Sequence, residues 1–157
     1  MNVWLFTVLR LLPDMRYYSI GLGCDRGTPL LTVQTALTQA LQLISAHESQ
    51  IMCIATIDLK ADEFAFIALA KHLGLALQCY PAHALAKVPV ANPSMTVLKY
   101  VGTPSVSEAA ALLGAGYQPA MNIQESSQAA PALVLEKYKH QGVCGKNVTI
   151  SIAEIPS

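Results

Sequence analysis

The stretch "IMCIATI", Ile51 to Ile57, is apolar apart from one threonine. A strand with one wet face alternates apolar and polar residues; an unbroken run of this length reads as a strand covered on both faces. That demands helices above and below a sheet, and the flanking sequence supplies them. Asp58 ends the strand. In "DLKADEFAFIALAKHLG", Asp62 and Glu63 suit a first helical turn, and Gly74 suits a helix stop. Upstream, Arg16–Leu22 reads as a strand of β-formers followed by glycines. Thr28-Pro29 then reads as a helix start, with Leu30, Val33, Leu37, Leu41 and Ile44 at helical spacing to about His47.

The rest of the chain extends this pattern. Leu75–Tyr80 is a short strand stopped by Pro81, and His83–Val88 a single helical turn. After the Pro-rich "VPVANPSM", Met95–Val101 suits a strand or a short helix. Ser105 and Glu108 have capping-box spacing before the helix formers Ala109–Leu113, with Gly114 and Gly116 to close. Gln118–Pro131 is polar and small, a loop or mobile lid. Leu133–Tyr138 and Val148–Ile155 read as strands joined by "HQGVCGKN". Alternating strands and helices imply right-handed crossovers. The last two strands have no helix between them, so at least one pair is antiparallel. The expected fold is a single three-layer α/β/α domain with a mixed, mostly parallel sheet.

Composition agrees. A chain of 157 residues buries about 68–70% of its unfolded surface, and 53% apolar against 13% charged residues is too apolar for disorder. Zero formal net charge and no Lys/Arg run disfavour a nucleic-acid partner. Cys24, Cys53, Cys79 and Cys144 form no CxxC pair, and His47, His72, His83 and His140 are scattered, so no metal is expected. Cys53 and Cys79 read as buried small hydrophobes, and the cysteine usage suggests a reducing cytoplasm. The start, "MNVWLFTVLRLLPDM", is too short and interrupted by Arg10 to span a bilayer, and it lacks the features of a signal peptide. Residues 1–14 are therefore read as an arm or a misplaced start, with the domain at 15–157. The arm and the apolar composition favour a homodimer.

Three motifs carry chemistry. "GLGCDRG" at Gly21–Gly27 misses the dinucleotide fingerprint, because Arg26 stands where the third glycine belongs, and it is no Walker A loop. Gly21 and Gly23 still admit close backbone approach. Arg26 and the N–H groups near Gly27 and Thr28 suit an anion; the plain structural alternative is a tight turn with Arg26 paired to a neighbour such as Asp58. Cys24, near a helix start and Arg26, is a candidate for a lowered pKa. In "DLKADE", Lys60 and Glu63 stand at the expected cleft rim, Glu63 as a general-base candidate or as a helix-dipole partner. In "GTPSVSEAAALL", Gly102, Thr103, Ser105 and Glu108 suit a site wall or a capping box.

These motifs, "IGLGCDRGTP", "ATIDLKADEFAFIALAKHLGL" and "VGTPSVSEAAALL", in this order, resemble the cobalamin-biosynthesis family containing CobE and the C-terminal domain of CbiG. The resemblance covers roughly Tyr18 to Leu113, with "VLEKYK…VTISIAE" similar to the closing strands. It implies a ligand site at Gly21, Gly23, Cys24, Arg26, Gly27, Asp58, Lys60, Glu63, Gly102, Thr103 and Glu108, to which the helix start and the capping-box spacing add Thr28 and Ser105. Lys137 stands for a family lysine before the last strand. The implied ligand is a precorrin, cobalt-precorrin or hydrogenobyrinic-acid-like tetrapyrrole, with other enzymes of the route as partners and no cofactor. If the chain is an enzyme, the resemblance implies hydrolysis of a precorrin lactone; Glu63 and Glu108 are then the candidates to activate water. A phosphate- or nucleotide-binding module and a purely structural partner domain are the alternatives from other classes.

Overall fold

The computed structural model describes residues 15–90, 105–118 and 129–157. The expectations for residues 1–14, for Met95–Val101, for Gly102 and Thr103, and for most of the Gln118–Pro131 loop lie outside the described residues.

Five strands form one sheet in the order β3-β2-β1-β5-β4. They are β1 (Tyr18–Cys24), β2 (Ile51–Ile57), β3 (Leu77–Tyr80), β4 (Ala132–Gln141) and β5 (Asn147–Glu154). β1, β2 and β3 pair in parallel, while β5 runs antiparallel to both β1 and β4. Four of the five strands thus point one way. The middle of the sheet is β1, with β2 beside it. The apolar run of β2 is buried from Ile54 to Ile57, whereas Met52 is 55% exposed at its start.

Helices α1 (Leu30–Leu43) and α2 (Phe64–Leu73) cover one face. Val33, Leu37 and Leu41 of α1, with Phe66 and Leu69 of α2, pack on Ile20, Leu22, Ile54, Ile150 and Ile152. Each such buried side chain contributes about 1.5–3 kcal/mol. The short α3 (Ala82–Ala86) and α4 (Val106–Gly114) cover the opposite face, where Ala109–Leu112 and Leu85 pack on Ala55, Ile57 and Ala153. The three-layer architecture is as the sequence implies.

Several boundaries move, each for a local reason. α1 ends at Leu43, because Ser45 takes a left-handed φ of 53° and the Ala46 N–H returns to Leu41 O. Pro29 rather than Thr28 is the N-cap of α1; the Thr28 hydroxyl donates to Asp25 O. Asp62 and Glu63 precede α2, with Glu63 at the N-cap position. Ser105 is the N-cap of α4 but caps no backbone N–H. Cys53 and Cys79 are half-buried, and burial pushes both thiols up.

The α4 face is close-fitted. A Cβ at Gly21 would stand 1.8 Å from Ser107 O, and one at Gly114 would stand 2.4 Å from Ser19 Oγ. Gly21, expected at the ligand, is thus explained by helix packing: only hydrogen fits between β1 and α4. This contact brings Ser105–Ser107 up to the carboxyl end of β1. Gly21→Ala should force α4 away and lower stability by about 3 kcal/mol or more in a denaturant titration. At Gly23 the nearest atom to an added Cβ would be Thr149 Cβ at 3.9 Å, so Gly23→Ala should unfold within about 1 kcal/mol of the parent.

Candidate functional site

The Gly23–Gly27 loop turns back through Gly27, whose φ of 76° suits glycine. Its anion is the protein's own. The Gly27 N–H donates to Glu63 Oε1 at 2.9 Å. Arg26 Nη1 lies 3.3 Å and Lys60 Nζ 3.7 Å from Glu63 Oε2. Arg26 also donates to Asp62 Oδ1 at 2.7 Å and to Leu59 O at 2.6 Å. Its partner is therefore the Asp62–Glu63 pair, not Asp58. The hydrogen bond from Arg26 holds the Asp62 carboxyl below the usual carboxylate range and raises the guanidinium. Glu63 is only 3% exposed. A carboxylate so buried is costly unless paired, and here two cations and one amide surround it.

The loop is also pinned to the β4–β5 turn. Asp25 Oδ2 accepts from the Asn147 N–H at 2.7 Å and its amide at 3.0 Å, and Lys146 Nζ donates to Arg26 O at 2.8 Å.

A second buried carboxylate stands at α4. Glu108 has 0% exposure. Ser105 Oγ donates to its Oε1 at 3.2 Å, and Lys137 Nζ of β4 lies 3.5 Å from the same oxygen. The Ser105–Glu108 spacing thus joins two side chains and holds a lysine from another strand. Behind them the Ser151 hydroxyl links Ser107 to Glu136 O.

Between these two clusters lies a cavity of about 500 Å³ at the carboxyl ends of β1 and β2, where ligands sit in open α/β sheets. Gly23, Cys24, Asp25, Ile57, Leu59 and Lys60 form one wall. Ser105, Val106 and Ser107 of the α4 start form another, and Lys137, Lys139, Asn147 and Thr149 of β4 and β5 the third. The lining combines the apolar Ile57, Leu59 and Val106 with the basic Lys60, Lys137 and Lys139.

Of the expected site residues, Gly23, Cys24, Lys60, Ser105 and Lys137 line this cavity. Glu63 and Glu108 stand one contact behind, each holding a lining lysine. Gly21, Arg26, Gly27, Thr28 and Asp58 do not line it. Lys139, Ser107, Asn147 and Thr149 were not anticipated. The alternation of β4 puts Lys139 on the same face as Lys137, but which face meets the cavity depends on the pairing with β5. The Cys24 thiol is pushed up by burial, which outweighs the downward pull of Lys60 and of the Thr28 hydrogen bond; the lowered value expected for it is not found. Among the described residues no three His, Cys, Asp or Glu side chains form a metal-binding group, and no helix is long and apolar enough to cross a membrane.

By architecture this is an open-sheet α/β domain with a cavity at the strand carboxyl ends. The family model described as "Cobalamin synthesis G C-terminus" matches residues 18–153, and the chain belongs to this cobalamin-biosynthesis family. It is 33% identical over 138 residues to "Cobalt-precorrin-5A hydrolase" of Priestia megaterium, covering 88% of this chain but 32% of that protein. The chain therefore spans about a third of that relative's length. It is 35% identical over 118 residues to "Protein CobE" of Sinorhizobium sp, covering 73% and 77% of the two chains. The crystal structure of CobE, a protein from the cobalamin (vitamin B12) biosynthetic pathway, shares the fold at a TM-score of 0.69, 24% identity and coverage of 93% and 96%. That of cobalamin biosynthesis protein chiG from Agrobacterium tumefaciens str. C58 has a TM-score of 0.57, 30% identity and coverage of 87% and 96%.

Lys137→Ala should leave the Glu108 carboxylate buried without this cation and cost about 3 kcal/mol of stability, read by urea denaturation. The double variant Lys137→Met/Glu108→Leu should recover most of it. In iodoacetamide alkylation at pH 8, followed by mass spectrometry, Cys24 should react several-fold more slowly than free cysteine, because its thiolate fraction is smaller.

Proposed function

We propose that this domain binds a precorrin-type tetrapyrrole of the cobalamin route through the acid arms on the ring's rim. The observation that carries the reading is the cavity itself: Lys60, Lys137 and Lys139 line it together with the apolar Ile57, Leu59 and Val106. A flat macrocycle fringed with acetate and propionate groups offers the complementary surface, an apolar face with carboxylates at its edge. A charge-assisted hydrogen bond to one such carboxylate contributes about 1.5–3 kcal/mol, so two or three together give useful affinity. A volume of about 500 Å³ is that of a site for a drug-sized molecule. The ring therefore enters by one edge, and the remainder stays open to another enzyme of the route.

The geometry favours holding the ring over cutting it. A general base needs hydrogen-bond reach to the reacting water. Glu63 and Glu108 lie behind the wall, each against a lysine. Asp25 is the one carboxylate lining the cavity among the described residues, and it is engaged by Asn147. Hydrolysis of a precorrin lactone, the activity in the name of the Priestia megaterium relative, is the second reading, favoured by that sequence likeness. A nucleotide reading has less support: the Gly27 N–H is engaged by Glu63, and the first turn of α1 does not line the cavity.

Titration with hydrogenobyrinic acid should shift its visible spectrum and bring the pigment through gel filtration with the protein, while ATP and NAD should not co-elute. Bound pigment should also protect Cys24 from alkylation, since Cys24 is one of the residues lining the cavity. Co-elution of a nucleotide but not of the tetrapyrrole would reverse the reading.

A further inference from the structure

We propose that Lys139 is the specificity-determining cation of this cavity, the group that pairs directly with a ligand carboxylate and selects acids over uncharged derivatives of the same ring. The inference rests on the tetrapyrrole-binding reading and assigns its charge selectivity to one side chain. The three lysines of the cavity are not equivalent. Lys60 lies 3.7 Å from Glu63, and Lys137 lies 3.5 Å from Glu108. Both carboxylates are almost wholly buried, so neither is released to solvent when a ligand arrives. Those two ammonium groups are therefore neutralised in place: they still donate hydrogen bonds, but a ligand carboxylate meets a pair with little net charge.

Lys139 differs on each count. It lines the same cavity but is exposed. Among the described residues no carboxylate stands within ion-pair distance of it. Opposite it on β5 is Thr149, another lining residue. Asp25, the lining carboxylate, accepts from the Asn147 N–H and amide. Those donors are neutral and leave the Asp25 charge in the cavity, so an anion finds in Lys139 the one lining lysine without an ion-pair partner among the described residues, beside two lysines held by buried carboxylates. An exposed pair of this kind is modest; an attraction of about 1 kcal/mol corresponds to roughly fivefold in affinity, and partial desolvation at a cavity mouth raises it.

The test compares hydrogenobyrinic acid with the same ring carrying every acid arm as its methyl ester. Each is titrated by absorbance against the parent, Lys139→Ala and Lys139→Arg, at low and at high salt. Lys139→Ala should weaken binding of the acid about five- to tenfold and leave the ester unchanged. It should also flatten the salt dependence, because the pair removed is the screened one. Lys139→Arg should stay within about twofold of the parent. Thermal melts should be alike for all three proteins, since the side chain is exposed on an edge strand. Undiminished binding of the acid by Lys139→Ala, with the parent binding normally, would overturn the assignment and leave the binding reading standing. A parent that binds neither form would overturn the binding reading itself.

Discussion

The buried Glu63 carboxylate organises this end of the sheet. A charge at 3% exposure persists only if its surroundings neutralise it. The chain does so by bringing together Gly27 from the first loop, Arg26 beside it, and Lys60 from the turn after β2. Those segments are about 35 residues apart and belong to different crossovers. Once Glu63 is in place, the turn after β1 and the turn after β2 are locked to one another, and the cavity between them gains a defined wall. The same carboxylate fixes the Lys60 ammonium at that wall.

Glu108 repeats the device from the other side. It is buried in α4, takes a hydrogen bond from Ser105, and faces Lys137 of β4. α4 reaches that position because its alanines and the bare backbone of Gly21 allow helix and strand to touch. Close packing on one face of the sheet and paired carboxylates at its end are thus parts of a single arrangement. Apolar packing sets the distance, and the carboxylates set the direction in which the lysines point. A pocket preorganised in this way loses less entropy when a charged ligand binds than one lined by wandering side chains.

The layers, the crossovers of the first strands and the presence of an antiparallel pair were legible in the residues, because apolar periodicity and glycine or proline punctuation are local signals. The run Ile51–Ile57 matches β2 residue for residue. Loop function was less legible. "GLGCDRG" looks like an anion cradle, and it is one, but for Glu63 rather than for a visitor. Gly21 reads equally well as a ligand glycine and as a packing glycine until the helix above it is placed. Glu63 and Glu108 have the composition of catalytic acids, yet the lysines stand between them and the cavity. Lys139 carried only a weak signal, its spacing of two from Lys137, and that spacing does not say which face of β4 meets the cavity.

By itself the sequence determined that a sheet must be covered on both faces, that two crossovers link its first strands, and that three loops carry the unusual residues. Those properties follow from the chain's own periodicity and propensities, which act over a few residues at a time. The tertiary structure alone decided which charges meet. Pairing of β4 with β5, seating of α4 on Gly21, and the resulting burial of two carboxylates act across the whole chain. The worth of a charge depends on its distance to partners and on its exclusion from water, and neither is written in the order of residues.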